Sequence, residues 1–83
     1  MSWVVYILKC ADGSLYTGIT NNLDRRVAEH SLGSGAKYTR GRGPFGLVYQ
    51  EICKDRSEAS KRESQIKAMP RKRKAELLGL ITW

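Results

Sequence analysis

Five polar side chains suited to the hydrolysis of a phosphodiester are spread along the chain: Tyr6, Tyr16, Arg26, His30 and Glu63. Such a reaction needs an acceptor for the proton of the attacking water, positive charge beside the phosphorus, and help for the leaving oxygen. The arginine offers a planar, permanently charged fork for two phosphate oxygens. The glutamate is a suitable ligand for one hard cation, Mg²⁺ or Mn²⁺. These residue types predict a metal-assisted phosphodiester hydrolase.

The proton acceptor is the hardest role to assign. A free phenol has a pKa near 10, so it is a poor base at neutral pH unless nearby cations lower that pKa. We expect Arg26, the metal ion and the basic surroundings to lower the pKa of Tyr6. Tyr6 is then predicted to accept the proton of the attacking water, with Tyr16 or His30 assisting. Covalent attack by Tyr6 is the alternative.

The two tyrosines lie on segments that predict a β-hairpin. Residues 3–9 and 15–20 are rich in aromatic and β-branched side chains, and Cys-Ala-Asp-Gly-Ser lies between them. A two-residue turn at Asp12-Gly13 would place the tyrosines on opposite faces of the sheet. A three-residue turn, Ala11-Asp12-Gly13 with a left-handed glycine, would place them on the same face. We predict the three-residue turn.

In this register Tyr6 lies opposite Gly18, and Leu8 lies opposite Tyr16. The two tyrosines become diagonal neighbours, at roughly 7–8 Å between backbones. Because Gly18 has no side chain, we expect room over the sheet beside Tyr6 for a close approach.

A helix is predicted over residues 23–31, with Asn21-Asn22 supplying the N-cap. Helical spacing puts four residues on one face: Leu23, Arg26, Val27 and His30. Of the two adjacent arginines, Arg25 points elsewhere and Arg26 is carried toward the edge of the core.

The remaining elements follow a glycine-rich segment, 32–44, which is predicted to be a loop. Residues 45–53 predict a third strand. A second helix is expected to begin at a cap formed by Asp55 or Ser57 and to end near Ala68. Its inward residues are predicted to be Ala59, Arg62 or Glu63, and Ile66.

Pro70 is expected in the first turn of a last short helix, where its missing N–H costs nothing. Three apolar residues would anchor that helix to the core: Leu77, Leu78 and Ile81. The predicted order is β-β-α-β-α-α in one domain spanning 1–83. This order indicates an α+β fold, an α/β sandwich in which helices flank a three-stranded antiparallel sheet.

Charge is unevenly spread along the chain, whose net charge is +7 from 15 basic and 8 acidic residues. Residues 31–44 carry three basic side chains and no acid, and residues 54–74 carry nine basic side chains against three acids. Such a field favours a polyanion, because neutralised phosphates release their counterions. Mere solubility is the alternative explanation of this charge.

We therefore predict a nucleic-acid partner, DNA rather than RNA, with a protein partner as a further source of specificity. The predicted contacts to nucleic acid are Lys37, Tyr38, Arg40, Arg42, Arg71, Lys72, Arg73 and Lys74. A membrane is not expected, since the longest apolar run falls far short of the roughly 18 residues of a span. The N-terminus resembles a strand rather than a leader, so we expect the cytoplasm.

Cys10 and Cys53 are far apart in the sequence and form no CxxC pair. With the one histidine they could supply at most three of the four ligands of a structural zinc site. Buried free thiols are predicted, and the sequence leaves a disulfide open.

Four short motifs together resemble the GIY-YIG nuclease superfamily, and in particular its short stand-alone bacterial members. The motifs are Val4-Val5-Tyr6, Tyr16-Thr17-Gly18, Asn22-Leu23-x-x-Arg26-x-x-x-His30 and Ala59-x-x-x-Glu63. The resemblance implies metal-dependent hydrolysis of nucleic acid on one face of the sheet. It also implies that Glu63 binds the metal and that Tyr6 and Tyr16 are the tyrosines of the two tripeptides.

The chain departs from the family pattern at three motif positions, Val4, Val5 and Thr17. These changes are expected to affect strand packing rather than chemistry, since both phenols are present. Several family members also use an asparagine near the end of the domain, and this chain has none after Asn22.

Each predicted site residue also has a structural explanation. The tyrosines could be ordinary strand aromatics, Arg26 could extend along the core edge, and His30 could cap its helix. Glu63 could pair with Lys67 one turn later. A catalytically weak or inactive binding module of the same fold is thus the alternative function.

The other carboxylates fall at turns, caps or outward positions, so we predict one metal ion.

Overall fold

The computed structural model describes residues 2–32, 43 and 45–78, apart from the side chains of Ser31, Arg71 and Ala75. Its elements are β1 (Trp3–Lys9), β2 (Leu15–Thr20), α1 (Leu23–Ser31), β3 (Gly46–Cys53), α2 (Arg56–Lys67) and α3 (Arg71–Leu77). The strands form one antiparallel sheet in the order β2-β1-β3. The predicted α+β fold and the order of its elements are confirmed. Five residues with predicted roles lie outside the described residues: Lys37, Tyr38, Arg40, Arg42 and Ile81.

The β1–β2 hairpin closes through the predicted three-residue turn. Cys10 N–H donates to the carbonyl of Ser14 at 2.8 Å, and Gly13 N–H donates to the carbonyl of Cys10 at 2.9 Å. Gly13 has φ of +85°, in the left-handed region that favours glycine. The carboxylate of Asp12 accepts from Ser14 N–H at 3.0 Å, which fixes the turn further. Turn chemistry thereby sets the register of the whole hairpin.

The register places Tyr6 opposite Gly18 and Leu8 opposite Tyr16, as predicted. Side chains along β1 alternate between the two faces of the sheet. Val5 and Ile7 belong to the apolar core cluster beneath α2, so Tyr6 and Leu8 lie on the other face. The sheet therefore has one face used for the core and one on which both tyrosines stand.

The two long helices begin at the predicted caps. Asn22 Oδ1 accepts from Arg25 N–H at 3.1 Å at the start of α1. Asp55 Oδ1 accepts from Glu58 N–H at 2.8 Å at the start of α2. In a capping box the residue three after the cap would accept from the N–H of the cap residue, but the Glu58 carboxylate accepts from the N–H of Lys54 rather than that of Asp55.

Two element boundaries differ from the expectations. β3 begins at Gly46, one residue after the predicted start. Pro70 is the N-cap of α3 rather than a residue of its first turn, because its ψ of 158° is extended. Leu77 and Leu78 pack against the core as predicted.

Cys10 and Cys53 are buried free thiols. Over the described ranges, no helix has the length and apolar character needed to cross a membrane.

Candidate active site

A buried hydrogen bond joins Tyr6 on β1 to His30 on α1. Tyr6 Oη lies 2.9 Å from Nε2 of His30. The exposed fractions of the two residues are 0% and 1%, so the bond is closed to water in the free protein. Because α1 presents Arg26 and His30 on the same helical face, its docking on the sheet delivers both toward this phenol. His30 is thus directed into the site and is not simply a helix cap.

Rings from four elements or their flanks gather around this bond. The centroid of Tyr16 lies 6.3 Å from that of Tyr6 and 5.1 Å from that of His30. The ring of Phe45, just before β3, meets His30 edge-on at 6.2 Å. These separations lie in the range of favourable aromatic pairs, so the cluster holds the phenol and imidazole in fixed relative positions. Tyr16 stays partly exposed and Tyr6 does not.

Arg26 and Glu63 act on the same phenol from two helices. A hydrogen bond from the Arg26 guanidinium lowers the pKa of Tyr6, while the negative charge of Glu63 raises that pKa. Arg26 is partly exposed and also pairs with Glu29, with 3.2 Å between Nη1 and Oε1. Although burial lowers the pKa of Arg26, its hydrogen bonds to Tyr6 and Glu29 raise it, so the guanidinium stays charged. The structure therefore brings Tyr6, Tyr16, Arg26, His30 and Glu63 to one locality.

Arg26 lowers the pKa of Tyr6 as expected, but in the free protein a larger effect of opposite sign exceeds it. Burial is the largest influence and, despite the hydrogen bond from Arg26, it raises the pKa of Tyr6 to about 12. A phenolate in an apolar ring cluster loses hydration that one partly exposed arginine does not replace. Tyr6 consequently keeps its proton at neutral pH.

The pKa of the His30 imidazole is shifted in the opposite direction, downward. Burial, reinforced by the positive charge of Arg26 and opposed by Glu29, lowers the pKa of His30 below its ordinary 6.5. The ring is therefore neutral at pH 7, and one of its nitrogens is an acceptor. With Nδ1 carrying the ring proton, Tyr6 O–H donates to Nε2.

Acid should destabilise the protein through His30. The unfolded chain binds a proton on this histidine near pH 6.5 and the folded chain only at lower pH, so stability falls as pH drops through that window. The slope is at most about 1.4 kcal/mol per pH unit. Urea denaturation between pH 7.5 and 5 should show a steeper loss for the wild type than for His30→Gln. Parallel pH profiles for the two proteins would contradict the buried neutral imidazole.

Gly18 has a different role from the predicted open space. A Cβ built at Gly18 would lie 2.6 Å from Oη and 2.7 Å from Cζ of Tyr6, and 3.0 Å from Cε2 of Tyr16. The room that glycine leaves over the sheet is filled by the phenol of Tyr6 itself. Gly18 therefore permits the phenol of Tyr6 to lie close against β2, and it offers no extra space to a ligand there.

Glu63 is half-buried on α2 and has Lys67 as its partner, with 3.4 Å between Oε2 and Nζ. The alternative explanation of Glu63 as an ion-pair residue thus describes the free protein. No group of three or more His, Cys, Asp or Glu side chains in the described part of the chain is arranged to hold a metal. Mg²⁺ is commonly bound by one or two carboxylates, with water and substrate phosphates completing its shell. Glu63 fits that pattern and does not fit a closed site for zinc.

The predicted basic run after Pro70 divides into different environments. Lys72 and Arg73 are exposed, and Arg73 pairs with Glu76 at 3.2 Å. Lys74 is half-buried and lines a cleft of about 250 Å³ beside Tyr16. Lys67 lines the same cleft, and the sequence had suggested it only as an ion-pair partner of Glu63. The signal available was the spacing of the two lysines from Glu63, which becomes meaningful only once α2 and α3 are placed against β2.

A buried phenol–imidazole pair, with an arginine and a glutamate acting on the phenol, lies on a β-β-α-β-α-α frame. The family model described as the GIY-YIG catalytic domain matches residues 2–76. The chain therefore belongs to the GIY-YIG family, a family of nucleases.

Two curated relatives and two solved structures match most of this chain. A UPF0213 protein of Desulfotalea psychrophila is 59% identical over 93% of this chain and 71% of its own length. A UPF0213 protein of Clostridium perfringens is 57% identical over 90% and 81% of the two chains. The solution NMR structure of a UPF0213 protein from Bacillus halodurans is 48% identical over 95% and 84% of the chains, with a TM-score of 0.63. The solution NMR structure of a protein from E. faecalis has 42% identity over 95% and 84%, with a TM-score of 0.67. None of these names states an activity.

Proposed function

We propose that this protein is a metal-dependent nuclease that hydrolyses phosphodiester bonds of nucleic acid, preferentially DNA, with one Mg²⁺ or Mn²⁺. The observation that carries the proposal is the buried hydrogen bond of Tyr6 to a neutral His30, with Arg26 and Glu63 acting on the same phenol. Membership of the GIY-YIG family and the net charge of +7 support it.

Tyr6 and His30 would act as a proton relay. A phenol with a pKa near 12 is protonated at neutral pH, so it can take a proton from water only as it passes on its own. The neutral imidazole 2.9 Å away is the acceptor for that proton. Water would lose its proton to Tyr6 Oη while the hydroxyl hydrogen of Tyr6 moves to Nε2 of His30. The relay avoids a free phenolate in the buried cluster.

Arg26 and Glu63 would supply the charge that the phosphate requires. The partly exposed guanidinium of Arg26 can bind the non-bridging oxygens and stabilise the negative charge that develops at phosphorus. Glu63 would hold the cation, and a bound Mg²⁺ supplies charge neutralisation beside the leaving oxygen. Tyr6 is fully buried in the free protein, so the proposal requires its hydroxyl to become accessible when substrate binds.

Substrate selection should depend on the shape of the nucleic acid. A chain of 83 residues presents little surface that could read base edges, whereas phosphate contacts position a protein without reading sequence. We therefore propose preference for branched, terminal or single-stranded DNA, in the cytoplasm, with a protein partner as a further source of specificity. Repair of DNA is a process that needs such an activity.

A cleavage panel tests this function. Purified wild type and Arg26→Ala are incubated with labelled duplex, branched and single-stranded DNA and with RNA, in Mg²⁺, Mn²⁺ or EDTA. We expect cleavage of at least one DNA by the wild type with either metal, and a loss of about 100-fold or more in Arg26→Ala. Equal cleavage by both proteins would indicate a contaminant and refute the assignment.

A nucleic-acid-binding module without turnover is the second candidate function. It is favoured by the complete burial of Tyr6 and by the pairing of Glu63 with Lys67 in the free protein. In the same panel this function predicts retention of DNA in a mobility-shift assay and no cleavage with any metal.

A further inference from the structure

A cleft of about 250 Å³ lies where the end of α2 and the middle of α3 meet β2. It is lined by Leu15, Tyr16, Thr17, Lys67 and Lys74. Two lysines therefore share the cleft with one tyrosine, and no acidic residue belongs to the described lining. A lysine is a compact positive charge that binds phosphate, and an aromatic face is a surface on which a base can stack.

The cleft is continuous with the candidate active site on two sides. Tyr16 lines it and also belongs to the ring cluster, 6.3 Å from Tyr6 and 5.1 Å from His30 between centroids. Lys67 lines it and is also the partner of Glu63, at 3.4 Å. The cleft therefore offers a path for a strand whose phosphate is bound at Arg26 and Tyr6.

Lys67 has two incompatible uses. In the free protein its ammonium neutralises Glu63, the residue suited to a metal ion. A cation on Glu63 and the ammonium of Lys67 repel one another, so metal binding must release the lysine. The side chain is about half exposed and can move, since an ion pair with this exposure is worth little. Once released, it lies at the cleft that it already lines.

We propose that this cleft binds the phosphodiester next to the scissile one, and that Lys67 passes from Glu63 to that phosphate when a divalent cation binds Glu63. The inference rests on the proposed function, because it takes the ligand to be a nucleic-acid strand. It goes further by assigning a subsite to Lys67, Lys74 and Tyr16 and by coupling metal binding to DNA binding. Such coupling is reciprocal, so each ligand raises the affinity for the other by the same factor.

The test compares Lys67→Met and Lys74→Met with Lys61→Met, which removes an exposed lysine from α2 outside the cleft. Mn²⁺ binding without DNA is followed by EPR. Binding of a fluorescent 20-base-pair duplex is followed by anisotropy across a salt series, with and without Mn²⁺. A Tyr6→Phe background keeps the duplex intact, which a gel verifies.

Lys67→Met should bind Mn²⁺ about two- to fivefold more tightly, because its ammonium no longer competes for Glu63. In Mn²⁺ it should bind DNA about tenfold more weakly and lower the salt slope by about 0.9, the value of one lost phosphate contact. Mn²⁺ should then raise DNA affinity less than it does in the parent protein. Lys74→Met should weaken DNA binding and lower the salt slope without changing the affinity for Mn²⁺. Lys61→Met should change neither the DNA affinity nor the salt slope by as much as twofold.

Equal salt slopes for Lys67→Met and Lys61→Met would overturn the subsite, and so would an unchanged Mn²⁺ affinity in Lys67→Met. These failures differ from failure of the proposed function. If cleavage needs Arg26 and Glu63 but the Lys67 and Lys61 variants bind equally, the nuclease function is supported and the subsite is refuted. If the salt slope and the Mn²⁺ affinity depend on Lys67 but no DNA is cleaved, the subsite is supported and the nuclease function is refuted.

Discussion

Replacing Tyr6 with phenylalanine is expected to slow metal-dependent cleavage by about 100- to 10,000-fold, the usual contribution of a positioned acid–base group. Phenylalanine keeps the ring that packs against Gly18 and Tyr16 and removes only the hydroxyl that lies 2.9 Å from His30. The proton relay is then broken, while Arg26 and Glu63 can still bind phosphate and metal. DNA binding should therefore change by less than about threefold, well below the cost of a lost charged hydrogen bond.

The matched control for this prediction is Tyr49→Phe. Tyr49 is also a strand tyrosine whose hydroxyl donates to a side chain, the carboxylate of Glu51 at 3.2 Å, and it packs against the core cluster on the other face. Each variant loses the hydrogen bonds of one phenolic hydroxyl, to His30 and Arg26 for Tyr6 and to Glu51 and Arg62 for Tyr49. Each lost bond costs about 1–3 kcal/mol where a buried partner is left unsatisfied. Cleavage rates are measured under single-turnover conditions, after circular dichroism has verified that both variants are folded. A Tyr6→Phe protein as fast as Tyr49→Phe would remove Tyr6 from the chemistry.

Gly18→Ala is expected to have the next largest effect, on both stability and cleavage. The added methyl group would lie 2.6 Å from Tyr6 Oη, and the phenol is fully buried and hydrogen-bonded, so it has nowhere to move without breaking its bond to His30. Overpacking of this kind costs about 1–3 kcal/mol. For a domain of this size that corresponds to a melting temperature lower by roughly 4–8 °C per kcal/mol. Cleavage should fall with it, because the displaced hydroxyl no longer meets the imidazole.

Two comparisons make the Gly18 prediction specific. Gly46→Ala adds the same methyl group to a strand glycine with nothing within 4 Å, so it should leave the melting temperature within about 2 °C. In a Tyr6→Leu background the clash with the ring is absent, so Gly18→Ala should cost less than it does in the wild type. The double-mutant cycle compares the thermal unfolding of the wild type, Gly18→Ala, Tyr6→Leu and the variant with both substitutions. Equal costs of Gly18→Ala in both backgrounds would show that Tyr6 is not what Gly18 accommodates.

Local signals were sufficient to predict much of the fold. The three-residue turn was predicted with a left-handed Gly13, and the φ of +85° at Gly13 together with the pairing of Tyr6 with Gly18 agrees with that prediction. Caps at Asn22 and Asp55 were likewise readable, since a cap is a contact between residues three apart. Register and helix faces followed, and with them the approach of Tyr16, Arg26 and His30 to Tyr6.

Properties that depend on close packing could not be predicted in the same way. The sequence shows that Arg26 is a cation near Tyr6, but not that burial outweighs it and raises the pKa of the phenol to about 12. It shows that Gly18 faces Tyr6, but not that the ring itself occupies the space. Both depend on the docking of α1 against the sheet, which no local pattern specifies. Lys67 was recognisable as a partner of Glu63 and became a cleft residue only through the placement of α3.

The most direct measurement of the central claim is the cleavage rate of one labelled DNA by the wild type and by Glu63→Gln, side by side in Mg²⁺ and in EDTA. The substitution keeps the size of the side chain and removes the charge that would hold the cation. We expect the wild type to cleave in Mg²⁺ and to stop in EDTA, and Glu63→Gln to be slower by about 100-fold or more in Mg²⁺. Equal rates for the two proteins, or cleavage by the wild type that continues in EDTA, would contradict a metal-dependent nuclease centred on this site.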